Sequence, residues 1–134
     1  MRDIRFFTVE NVIQMHDRTM REHGGLGGVR DLGLLESAVM MPQARFGGEY
    51  LHDGVPAMAA AYLYHIAQNH AFHDGDKRPA VLAALTFLDH NGFEITAKNK
   101  DIVGVGLAVA SGQMNKPQLT KWMGRFVKPR PANS

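Results

Sequence analysis

A chain of 134 residues with no cysteine is the size of one domain, able to bury about two-thirds of the surface its unfolded form exposes, and disulfide or thiolate chemistry is excluded. Its 15 cations and 13 acidic groups leave a net charge of +2 and a pI near 9.1, a mild excess that suits an anionic ligand but falls short of a nucleic-acid-binding stripe. With no charged leader ahead of an apolar core and no apolar run long enough to span a bilayer, a cytoplasmic protein with neither membrane nor direct nucleic-acid binding is expected.

In chain order, Arg2 to Phe7 is short and β-prone. Thr8 then caps a first helix carrying Val9, Val12, Ile13 and Met20 at helical spacing, with Phe7 stapled onto Val12 and Gly24-Gly25 as the stop. His16-Asp17 lies on that helix, the histidine reading as a residue tucked against the core edge. Asp31 caps the next helix, with Leu32, Leu35 and Val39 as its apolar stripe, and Pro42 forbids continuation. Residues 43–54 form an exposed loop or short flap. Pro56 opens a long helix in which Met58, Ala61, Leu63, Ile66 and Ala67 leave little polar circumference, so it is central in a bundle. A return helix carries Val81, Leu82, Leu85 and Leu88 and stops at Gly92; Phe93 to Thr96 is a strand candidate expected to pair with Ile4 to Phe6. A helix from about Lys100 to Ala110 follows, then one capped by Asn115 with Gln118 and faced by Leu119, Trp122, Met123 and Phe126. The pattern predicts an all-α domain over 1–127, a compact bundle of about six helices with at most one small β-pair, and a frayed tail over 128–134.

Between the two most apolar helices lies His70-Ala71-Phe72-His73-Asp74-Gly75-Asp76-Lys77-Arg78, where two histidines, two acidic groups, a glycine and two adjacent cations share nine residues. The first N–H groups of a helix lack internal partners and face outward as anion donors. Asp76 is placed to be the N-cap, with Lys77, Arg78 and Pro79 in the first turn, so both cations reinforce the positive end of the dipole. A phosphate suits that corner, and Asp74 just upstream suits a phosphate-bound divalent cation. His70, with an ordinary pKa of about 6.5, is suited to take a proton from an attacking hydroxyl. The bland alternative for Lys77-Arg78 is a solvated helix start. A transition-metal site built from His65, His70, His73 and Asp74 is disfavoured by the two cations beside it. Phe72 reads as core.

The stretch resembles the Fic motif: His, any, Phe, any, Asp or Glu, Gly or Ala, Asn, Gly or Lys, Arg. Lysine in the penultimate place is similar to Doc, the short death-on-curing toxins of bacterial toxin–antitoxin pairs. The likeness extends to His16-Asp17, Gly24-Gly25-Leu26, Gly33, Gln43-Ala44, Leu88 and Asn91-Gly92. Asp76 departs from it, standing where the family has asparagine, as does Pro79, where a small or hydroxyl residue is usual.

The resemblance implies a phosphotransferase that uses ATP or another nucleoside triphosphate with Mg2+ to modify a hydroxyl of a target protein, elongation factor Tu in the family, inhibiting translation, with a cognate antitoxin as partner. It implies His70 as general base, Asp74 as metal ligand, Lys77 and Arg78 on phosphates, Gly75 and Phe72 shaping the loop, Asp76 at the nucleotide, and the 43–54 flap beside the site receiving a target segment. Two alternatives stay open. One is Fic-type transfer of a nucleoside monophosphate, against which the bulk of Lys77 argues. The other is a binding protein with impaired catalysis, because a carboxylate at Asp76 adds repulsion of about 1–3 kcal/mol near phosphates.

Overall fold

The computed structural model describes residues 3–24, 28–72 and 77–131, and of His23 the backbone alone. Six α-helices occur among them: α1 (Val9–His23), α2 (Leu32–Met40), α3 (Val55–Asn69), α4 (Lys77–His90), α5 (Asn99–Ala110) and α6 (Lys116–Phe126). Their starts follow local side-chain chemistry. Thr8 and Asn11 form a reciprocal capping box on α1, Asp31 accepts from the Leu34 N–H on α2, and Asn115 with Gln118 forms a second box on α6. Gly24, at φ 77°, ends α1, and α2 passes at Met40 into a 3-10 turn, Met41–Gln43, holding Pro42.

Helix α3 is the hub, packed against α2, α4, α5 and α6. Ala59, Ala60, Ala61 and Ala67 are fully buried along it, and small side chains let neighbouring helices approach on several sides at once. Tyr62 centres an aromatic cluster with Phe7 and Phe87, ring centroids 5.3 and 5.0 Å away. Its hydroxyl accepts from the Phe7 N–H at 2.9 Å, and burial pushes the phenol up to about 12, so it stays neutral.

Two short antiparallel pairs occur among the described residues, one more than the sequence suggested. In the 43–54 flap, β1 (Arg45–Phe46) pairs with β2 (Glu49–Tyr50) across Gly47-Gly48, both at positive φ. The second pair joins β3 (Phe93–Ile95) to β4 (Val127–Pro129), in register Phe93 with Pro129 and Ile95 with Val127. The expected partner, Ile4 to Phe6, is instead satisfied by a side chain: Asn91 Oδ1 accepts from the Arg5 N–H at 2.8 Å and Asn91 Nδ2 donates to the Arg5 carbonyl at 3.2 Å. That frees β3 for residues 127–129, so Lys128 and Pro129, assigned to a frayed tail, lie in a strand. Arg130 continues the attachment through its N–H to the Gly92 carbonyl at 2.9 Å and its guanidinium to Asp89. Leu32, read as part of the apolar stripe of α2, is half exposed; Leu35, Ala38 and Val39 bury that helix. No described helix is long and apolar enough to cross a membrane.

Candidate active site

The junction of α3 and α4 carries the nine-residue motif. His73, Asp74, Gly75 and Asp76 lie outside the described residues, so the expected metal ligand, loop glycine and N-cap rest on the sequence alone. On either side of them the structure is defined. His70 is the C-cap of α3, in the left-handed conformation at φ 50° and ψ 44°, which aims the chain away from the helix. Lys77 and Arg78 open α4, both exposed, and Pro79 is buried at the third position, inside the first turn where a missing N–H breaks no helical bond.

His70, Lys77 and Arg78 line one cavity of about 890 Å3, ample for a nucleoside triphosphate. Lys77 and Arg78 bring the motif's two cations to its lining. Val81, Leu82 and Leu85 of α4 and Val103, Leu107 and Ala110 of α5 form an apolar side, and Arg18, Thr19 and Glu22 of α1 the remaining wall. Arg18 Nε pairs with Glu22 at 3.1 Å. Such a lining offers cations for an anionic group and aliphatic side chains for a flat or apolar body. A smaller cavity, about 330 Å3, borders it, shares Arg18 and Leu82, and contains none of the motif residues.

Sequence reasoning brought His70, Lys77 and Arg78 to one place, and the structure does so too. It missed the two flanking walls. Val81, Leu82 and Leu85 were read only as apolar residues of the return helix; α4 buries Ala80, Ala83, Ala84, Phe87 and Leu88, and Val81, Leu82 and Leu85 line the cavity. The signal available was α4 itself: alanines form one face and branched side chains another, and the alanine face is the one that can meet α3 closely.

Phe72 is buried, as expected, and His16 is buried beneath it, the rings stacked at 3.8 Å with 3° between planes. His16 thus supports the motif from the core and lines neither cavity. His65 faces α6, its Nε2 2.9 Å from Lys116 Nζ. Burial, then the Lys116 and His52 charges, push His65 down to about 4, and burial lowers Lys116 as well.

A helical bundle with a histidine-capped central helix followed by an acidic, glycine-bearing stretch of sequence and a cationic helix start is the architecture expected of Fic-type proteins. The Fic/DOC family model matches residues 6–88, and the chain belongs to that family. Among curated relatives, it is 31% identical over 123 residues to "Protein kinase doc" of Escherichia phage P1, covering 92% of this chain and 96% of the relative. It is 47% identical over 74 residues to "Toxin Doc" of Mycolicibacterium smegmatis, covering 55% of this chain and 57% of the relative.

Proposed function

We propose that this Doc-like chain acts in the cytoplasm as the toxin of a toxin–antitoxin pair, transferring the γ-phosphate of ATP or another nucleoside triphosphate to a hydroxyl of a target protein and so inhibiting translation. By family resemblance the target is elongation factor Tu, and a cognate antitoxin protein holds the activity in check. The observation that carries this reading is the convergence of His70, Lys77 and Arg78 on one cavity with an apolar side.

The His70 imidazole takes the proton of the target hydroxyl as its oxygen bonds to the γ-phosphorus. The bond from that phosphorus to the bridging oxygen breaks, and the nucleoside diphosphate leaves with the electron pair. Lys77 and Arg78 bind phosphate oxygens and offset charge as it redistributes during transfer. A magnesium ion needs only one or two carboxylates beside phosphate oxygens, and by the motif Asp74 would hold it. When bound it supplies further neutralisation of phosphate charge.

Transfer from ATP labelled at the γ-phosphate to elongation factor Tu, in the presence of magnesium, tests the reading. Label on the target is expected, reduced about a hundredfold or more in His70→Ala. Label arriving instead from the α-phosphate would assign the chain to nucleotidyl transfer.

A further inference from the structure

His70 is the sole non-glycine residue at positive φ among those described, a conformation that costs an L residue about 1–2 kcal/mol and persists only where its surroundings impose it. The segment entering α2 imposes it here. The Arg30 and Asp31 N–H groups both donate to the Ala71 carbonyl, at 2.7 and 3.0 Å, and Val29 forms an antiparallel bridge with Phe72. One residue before the histidine, Asn69 Nδ2 donates to the Leu34 carbonyl at 3.1 Å. The contact to His70 itself comes from Arg30, whose guanidinium donates to the His70 carbonyl oxygen.

Arg30 is exposed, and water could solvate that carbonyl in its place, so the bond adds little to global stability. Ordering an exposed arginine costs up to about 2 kcal/mol of side-chain freedom. What the bond does fix is direction. A planar guanidinium seated on the carbonyl of the αL residue, at the negative end of the α3 dipole, opposes rotation of His70 back into the helix. Rotation would carry the imidazole away from the cavity it lines.

We propose that Arg30 is a positioning residue, acting through the His70 backbone to hold the imidazole where it can take a proton from the target hydroxyl. This rests on the reading of His70 as general base. Because Arg30 lies 40 residues upstream of His70 and outside the motif, neither the Fic pattern nor the cavity lining assigns it a role.

The test uses the full chain with Arg30→Ala and Arg30→Lys, read three ways. In Arg30→Ala the transfer rate should fall about tenfold or more, while the ATP-induced rise in melting temperature is kept, since Lys77 and Arg78 are untouched. The three-bond HN–Hα coupling of His70 should shift from its left-handed value towards the helical one. Arg30→Lys, which keeps a donor and the charge, should recover part of both the rate and the coupling. An unchanged His70 coupling in Arg30→Ala overturns the proposal, as does an unchanged transfer rate. If wild-type protein transfers no phosphate, the function proposed above fails by itself and the coupling still decides the role of Arg30.

Discussion

The division of labour between His70 and Arg78 is separable by experiment. In the proposed function, phosphate binding is electrostatic and belongs to the start of α4, whereas the histidine acts on the hydroxyl. ATP with magnesium should therefore raise the melting temperature of wild type, Arg78→Ala should abolish the rise, and His70→Ala should largely keep it. Equal loss in both variants would contradict this assignment. Asp76 sharpens the same question. An asparagine in its place could both cap the helix and donate an amide hydrogen to an anion, whereas aspartate only accepts and adds charge. Asp76→Asn should tighten ATP binding about tenfold or more, equivalent to at least roughly 1.4 kcal/mol, and make the protein harder to express without an antitoxin. Weaker magnesium-supported binding in that variant would instead make Asp76 a working metal ligand.

At the scale of elements, two contacts set how the helices sit. Gly106 on α5 meets α4 so closely that an added Cβ would lie 2.7 Å from Val81 Cγ2. Valine is stiff about χ1 and cannot swing clear, so Gly106→Ala should cost about 1–3 kcal/mol in urea unfolding and Val81→Ala in the same chain should recover part of it. Additive losses in the double variant would refute the clash. The second contact joins α3 to α6 through His65 and Lys116. His65 has its folded pKa lowered from 6.5 to about 4, so the stability from its neutral form is fully present above pH 6.5 and lost as pH falls from there towards 4. The melting temperature should drop across that window, and His65→Gln should flatten the drop; an equal slope in both proteins would place the titration elsewhere.

Helix starts were legible in the sequence because Thr8, Asp31 and Asn115 act on N–H groups within three residues of themselves. The motif was legible because its members are sequence neighbours. Features set by distant chain were not. Nothing local tells that Asn91 completes the backbone of Arg5, 86 positions away, and so the wrong partner was assigned to Phe93–Ile95. Nor does helical spacing distinguish a branched face turned to a cavity from one turned to the core, so it left open which way Val81, Leu82 and Leu85 face. The support of the motif by His16 and its anchoring by Arg30 likewise depend on the fold bringing α1 and the start of α2 under the α3–α4 junction.

Across the whole molecule, the β3–β4 pair and the Asn91 side chain share one neighbourhood. The Arg5 N–H is tied to Asn91 and the Arg130 N–H to Gly92, so the segments holding Arg5 and Arg130 attach to adjacent residues of the α4–β3 turn. Meanwhile the tip between β1 and β2, Gly47-Gly48, is exposed and adds no side chain to the core, and Phe46 beside it is 84% exposed. Such a layout should tolerate a change in the order of the elements along the polypeptide. A circularly permuted gene, with the outer segments joined by a short flexible linker and new ends opened at Gly47-Gly48, should yield a protein with a helical circular dichroism spectrum and an ATP-induced thermal shift like those of the parent. Loss of the cooperative unfolding transition in the permutant would mean that the hairpin connection holds the bundle together. With it retained, the flap could be opened, lengthened or fused to another protein while the helices around the α3–α4 junction stay as they are.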